Sequence, residues 1–138
     1  MPVAFITSDA AYDRLNRPFN PPVINSPEDE AAFISEWDGV RERLMQTLDA
    51  LGEWNAYGEG DYYIGDQVML SRGIGLELTS DVMLDKKLIP LIQSSLHSCT
   101  SPYEVYCSFS HDQHLWNFFI TKDQIMTDCT PELLKQFL

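Results

Sequence analysis

The string His111-Asp112-Gln113-His114 sets two imidazoles and a carboxylate within four residues. These are zinc-ligand types, but a zinc site takes three or four protein ligands. The remaining histidine, His97, falls in a separate helical stretch with nothing to bring it near. A polar hairpin loop accounts for the string without a metal, and a small metal-binding enzyme using His111, Asp112 and His114 stays as an alternative function. Nucleophilic catalysis has less support. No G-x-S-x-G elbow is present. Cys107 falls on the apolar face of a strand pattern, where a thiol is inert. Cys99 is near His97 in sequence, which is not the spatial pairing such chemistry needs. Gly73-Ile74-Gly75 lacks the third glycine and following helix of a dinucleotide site, and there is no phosphate loop. Glu59 and Asp61 flank Gly60, yet two carboxylates without EF-hand spacing hold a cation poorly. The expectation is a non-catalytic protein with no metal and no cofactor.

Residues 53–66 carry a different chemistry. Glu53, Glu59, Asp61 and Asp66 are interleaved with Trp54, Tyr57, Tyr62 and Tyr63, and no base interrupts them. Aromatics supply large rigid contact area, and tyrosine is a frequent hot-spot residue. Carboxylates steer toward and pair with a basic target. Trp54 follows a helix closely and is expected to anchor the segment to the core. Tyr62 and Tyr63 are neighbours in a short strand pattern and point to opposite faces, so at most one is core. The candidate partner-binding residues are Glu53, Tyr57, Glu59, Asp61, Tyr62, Tyr63 and Asp66.

The charge of the whole chain agrees with a basic partner. Twenty-one acids against nine lysines and arginines give −12 over 138 residues. Such a charge disfavours nucleic acid and anionic membrane as partners. Residues 1–66 hold thirteen acids and four arginines, so the acidity belongs mainly to the first half. Cys99, Cys107 and Cys129 form no C-x-x-C pair and read as buried free thiols of a reducing compartment. The start of the chain has no basic region ahead of a long apolar run, as a signal peptide would. The uncharged run Leu88–Tyr103 is too broken to span a bilayer. The expected compartment is the cytoplasm.

Small, single-domain, strongly acidic cytoplasmic chains without catalytic residues resemble bacterial immunity proteins, the antitoxins of colicin-type, contact-dependent and other polymorphic toxin systems. Asp61-Tyr62-Tyr63 is similar to the acidic residues and tyrosine pair with which colicin nuclease immunity proteins grip a basic toxin. Those proteins are helical bundles, whereas this chain is rich in strand patterns, so the closer likeness is to the α+β immunity proteins of contact-dependent systems. The resemblance implies neutralisation of a cognate basic toxin domain, most simply a nuclease, by occlusion of its active site. An acidic adaptor or nucleic-acid mimic acting on another host or phage protein is the alternative with the same physics.

The elements that must position these residues begin with the stretch Ser26–Gly52. Phe33, Trp37, Val40, Leu44, Leu48 and Leu51 recur at steps of three and four, which predicts a helix of five turns. Ser26 with Asp29 makes a capping-box arrangement, Pro27 suits the first helical position, and Gly52 stops the helix. Burying six such side chains contributes roughly 1.5–3 kcal/mol each before entropy is subtracted.

Around this helix the pattern predicts an α+β single domain over residues 1–138, with 1–25 an irregular N-terminal segment. In that segment Ser8 caps a short helix to Leu15, and Phe19, Val23 and Ile24 lie against the body. Ile74, Leu76 and Leu78 form a strand whose glycines imply a close approach or a bulge. A second helix, Asp85–Ser98, meets a difficulty at Pro90. Tyr103–Phe109 and Leu115–Ile120 form strands joined by a four-residue turn. A short strand Gln124–Thr127 and a C-terminal helix opened by Thr130-Pro131 complete the chain. Hairpin connections imply an antiparallel sheet of four to five strands with the helices on one side.

Overall fold

The structure is a computed structural model that describes residues 2–49, 56–60, 63–64, 67–68, 70–78 and 88–137. The chain runs β1 (Val3–Phe5), α1 (Ser8–Leu15), α2 (Pro27–Asp49), β2 (Ala56–Gly60), β3 (Tyr63–Ile64), β4 (Gln67–Val68) and β5 (Gly73–Leu78). It continues through α3 (Leu88–Ser95), β6 (Glu104–His111), β7 (His114–Ile120), β8 (Ile125–Thr127) and α4 (Pro131–Leu134).

The apolar spacing of the long stretch becomes α2, which buries Phe33, Val40, Leu44 and Leu48. Its start uses the expected cap, with the Asp29 N–H donating to Ser26 Oγ at 3.1 Å. The return bond goes one residue further out than a capping box requires, because Asp29 Oδ2 accepts from the Asn25 N–H. Leu51 and Gly52 lie outside the described residues.

The sheet is mixed and six-stranded, in the order β1-β8-β7-β6-β5-β2, with β3 and β4 forming a separate two-stranded pair. This corrects the antiparallel sheet of four to five strands. β1 pairs with β8 in parallel and β5 pairs with β6 in parallel. The second of these follows from the helix between the strands, since a strand–helix–strand crossover returns the chain in its original direction. β1 arises within the segment expected to be irregular. Its partner β8 lies more than a hundred residues away, so no local turn announces the pairing.

One face of the sheet carries the core. Ile74, Leu76, Val105, Cys107, Phe118, Ile120 and Ile125 pack with α2, with Leu88, Ile89 and Ile92 of α3, and with Leu134 and Phe137 at the C-terminus. Pro90 stands in the first turn of α3, where its missing N–H leaves no helix bond unmade. The expected start of this helix at Asp85 lies outside the described residues. Thr130 caps α4 as its sequence implies, its Oγ1 accepting from the Leu133 N–H at 3.3 Å.

Helices do not keep to one side of the sheet. α1 covers the opposite face, where Ala11 is buried and the Arg14 guanidinium stands 5.7 Å from the Phe119 ring centre. Phe119 alternates with the core residues Phe118 and Ile120, so its side chain must leave the other face. Thr7, not Ser8, caps α1, its side chain accepting from the Ala10 N–H.

The proline-rich segment after α1 is clamped to the start of β5. Ser71, fully buried, accepts from the Phe19 N–H at 2.8 Å and donates to the Phe19 carbonyl at 3.1 Å. Arg72 adds a bond to the Asn20 carbonyl at 2.9 Å. Val23, expected against the body, is 81% exposed.

Candidate functional site

Asp38, Glu42 and Asp49 recur along α2 at steps of four and seven and are all exposed. With 3.6 residues per turn they form a stripe opposite Val40, Leu44 and Leu48. Glu28, Asp29 and Glu30 extend exposed negative charge to the helix start. Two arginines flank the stripe. The Arg41 guanidinium lies 5.7 Å from the Trp37 ring centre, and Arg43 Nη2 approaches Cys99 Sγ at 3.8 Å. Glu36 is turned to a structural task. It accepts from the Tyr103 hydroxyl at 2.9 Å and pairs with Arg72 Nε at 3.5 Å. Burial, and then the bond to Glu36, hold the Tyr103 hydroxyl well above the ordinary tyrosine range.

The interleaved acids and aromatics divide between strands and undescribed residues. Tyr57 and Glu59 lie on β2, at an edge of the six-stranded sheet, where a register shift falls between Ala56 and Gly58. Tyr63 lies on β3, opposite Val68. Glu53, Asp61, Tyr62 and Asp66 lie outside the described residues, as does Trp54. From Ala56 to Gly60 this segment is strand. It pairs there with β5, and Glu59 stands opposite Leu76.

The histidine string forms a tighter turn than expected. His111 and His114 are direct partners, and only Asp112 and Gln113 turn the chain, at φ of 51° and 62°. Two consecutive positive φ values are the mark of a two-residue hairpin. His111 Nε2 lies 3.4 Å from Asp112 Oδ2 and its ring meets Phe137 edge-on. His114 leans over Trp116 with ring centres 4.0 Å apart. Among the described residues no three His, Cys, Asp or Glu side chains gather closely enough to hold a metal ion. Among them, too, no helix is long and apolar enough to cross a membrane.

A cleft between α1 and the sheet was not anticipated. Its volume is about 330 Å³, and Tyr12, Leu15, Tyr106, Leu115, Asn117 and Asp128 line it together with Ser8, Ala11 and His114. Three of these residues are joined by hydrogen bonds. The Tyr106 hydroxyl donates to Asn117 Oδ1. Asn117 in turn donates to both Asp128 oxygens, from its backbone N–H at 2.9 Å and from Nδ2 at 2.8 Å. Thr127 fixes the strand beneath by donating to the Asn117 carbonyl at 2.8 Å.

The chain matches no protein-family model, no curated protein and no solved structure. Its chemistry is read from its own residues. The three cysteines are buried and free. Burial pushes the Cys107 thiol up to about 12, which suits a packing residue and not a nucleophile. Tyr106, Asn117 and Asp128 escaped the sequence reading because they sit eleven residues apart and meet only through strand register. Alternation of Tyr106 and Asn117 with core positions was the one available sign that they share the outer face.

Proposed function

We propose that this chain is a non-catalytic acidic binding protein that neutralises a basic toxin domain in the cytoplasm by covering its active site. The observation that carries the reading is the exposed stripe Asp38–Glu42–Asp49, opposite the buried side of α2, in a chain of net charge −12. A rigid helix that presents carboxylates in a row steers a cationic partner and fixes its approach. The acids of residues 53–66 come next in sequence and add four carboxylates to the same charge. A nuclease domain is the favoured target, because a groove built for phosphates is already basic.

The test is co-expression with the protein encoded beside this chain in its native genome. That neighbour alone should arrest growth, co-expression should restore it, and the two should purify as a salt-sensitive complex. A harmless neighbour that forms no complex removes the antitoxin reading. Capture of a different, non-toxic basic protein would favour an acidic adaptor or nucleic-acid mimic instead.

A further inference from the structure

The cleft between α1 and the sheet has the chemistry of a receptor for one cationic side chain. Its walls are largely apolar, and its rim carries two of the most exposed large hydrophobic side chains among the described residues, Tyr12 at 69% and Leu115 at 55%. Its floor offers acceptors. Each Asp128 oxygen takes one hydrogen bond from Asn117 and keeps further lone pairs. No lysine or arginine is among the described residues that line the cleft. The nearest cation on α1, Arg14, is engaged with Glu104 at 2.7 Å. Asp9 and Asp13, both exposed, flank Tyr12 on the same helix.

Asn117 matters as much as Asp128. Its two donors hold the carboxylate in one orientation before any ligand arrives, so little ordering remains to be done on binding. Apolar walls suit the methylene stem of a long basic residue, a tyrosine at the rim suits its charge, and a fixed carboxylate suits its head group. A neutral apolar side chain would cover the Asp128 oxygens with nothing to donate to them, which costs free energy.

From this we infer that the cleft seats an arginine or lysine side chain presented by the basic partner, an inference that rests on the proposed function. It makes the α1 face, and not the α2 stripe alone, a point of specific contact. The stripe would steer, and the cleft would register.

The experiment is a titration of the isotope-labelled full chain with acetyl-Gly-Arg-Gly-amide, its lysine counterpart and its citrulline counterpart, followed by amide chemical shifts. Saturable shifts centred on Tyr12, Leu115, Asn117 and Asp128 are expected with arginine or lysine, and the tighter of the two names the preferred head group. Asp128→Asn should weaken that binding about tenfold. Tyr12→Ala, at an exposed position that folding does not need, should weaken it too and carries the test if Asp128→Asn fails to fold. Equal binding of the citrulline peptide overturns the inference. Shifts confined to the α2 stripe also overturn it while leaving acidic recognition standing. Shifts with none of the peptides would count against both.

Discussion

Arg14 and Glu104 form an ion pair of 2.7 Å, with side chains only 18% and 5% exposed. The pair fastens α1 to the first residue of β6 across 90 residues of chain. The same guanidinium lies 5.0 Å from the Phe19 ring centre, so one arginine gathers α1, the sheet and the proline-rich segment.

Removing one partner of such a pair should therefore cost more than the pair contributes. Arg14→Met removes the cation that faces the buried Glu104 carboxylate, and a loss of about 3 kcal/mol is expected in urea unfolding. Glu104→Gln added to that variant should recover much of the loss, because the buried charge is then gone. Two losses that simply sum would mean that the residues act independently.

What the sequence disclosed, and what it hid, follows from where the information sits. α2 was legible because period, cap and proline all lie within one stretch and agree. α4 was legible from Thr130 and Pro131 alone. β1 was not, since Val3, Ala4 and Phe5 gain their partners only at Ile125–Thr127. The hairpin turn was misjudged in length because Asp112-Gln113 lacks the glycine that usually marks two positive φ values. Parallel pairing of β5 with β6 was implied by the helix between them and was overridden by the hairpins that follow. The acids and aromatics of residues 53–66 were visible as composition, whereas the cleft was invisible because register alone brings Tyr106, Asn117 and Asp128 together.

Ser71 supplies a second test of long-range attachment. It makes two hydrogen bonds to Phe19 while fully buried. Ser71→Ala removes the acceptor of the Phe19 N–H and should cost about 1–3 kcal/mol. Hydrogen exchange should quicken first at Phe19 and leave α3 unchanged. Uniform quickening across the sheet would show that the clamp is part of the global fold and not a local attachment.

Alkaline pH should unfold the protein earlier than its acidic character suggests. Burial raises the Cys107 thiol from 9.0 to about 12, and Tyr103 is raised in the same direction. A thiol that ionises in the unfolded chain but stays protonated in the fold stabilises the folded state fully below its unfolded value. That contribution is lost as pH rises from about 9 toward 12. The slope is at most about 1.4 kcal/mol per pH unit for each such group. Urea midpoints followed from about pH 8 to about pH 11 should fall, and Cys107→Ala should flatten the fall. A midpoint independent of pH across that window would contradict the burial of these groups.

The acidic stripe of α2 can be tested separately from the fold. Asp38, Glu42 and Asp49 are exposed on the side away from the core, so Asp38→Lys, Glu42→Lys and Asp49→Lys should each change stability by no more than about 0.5 kcal/mol. Together they halve the net charge of −12. Association with a basic partner should slow by about tenfold or more at low salt. The difference from wild type should shrink as ionic strength rises, because exposed charges are screened beyond about 8 Å at physiological salt. Dissociation should change less than association if the stripe steers without forming the tight contact. The matching reversal at Glu59, Asp61 and Asp66 asks the same of residues 53–66. If that set raises the dissociation rate while the helix set lowers only the association rate, steering belongs to α2 and contact to the segment beyond it. If neither set alters binding, the partner is not recognised through this acidic surface.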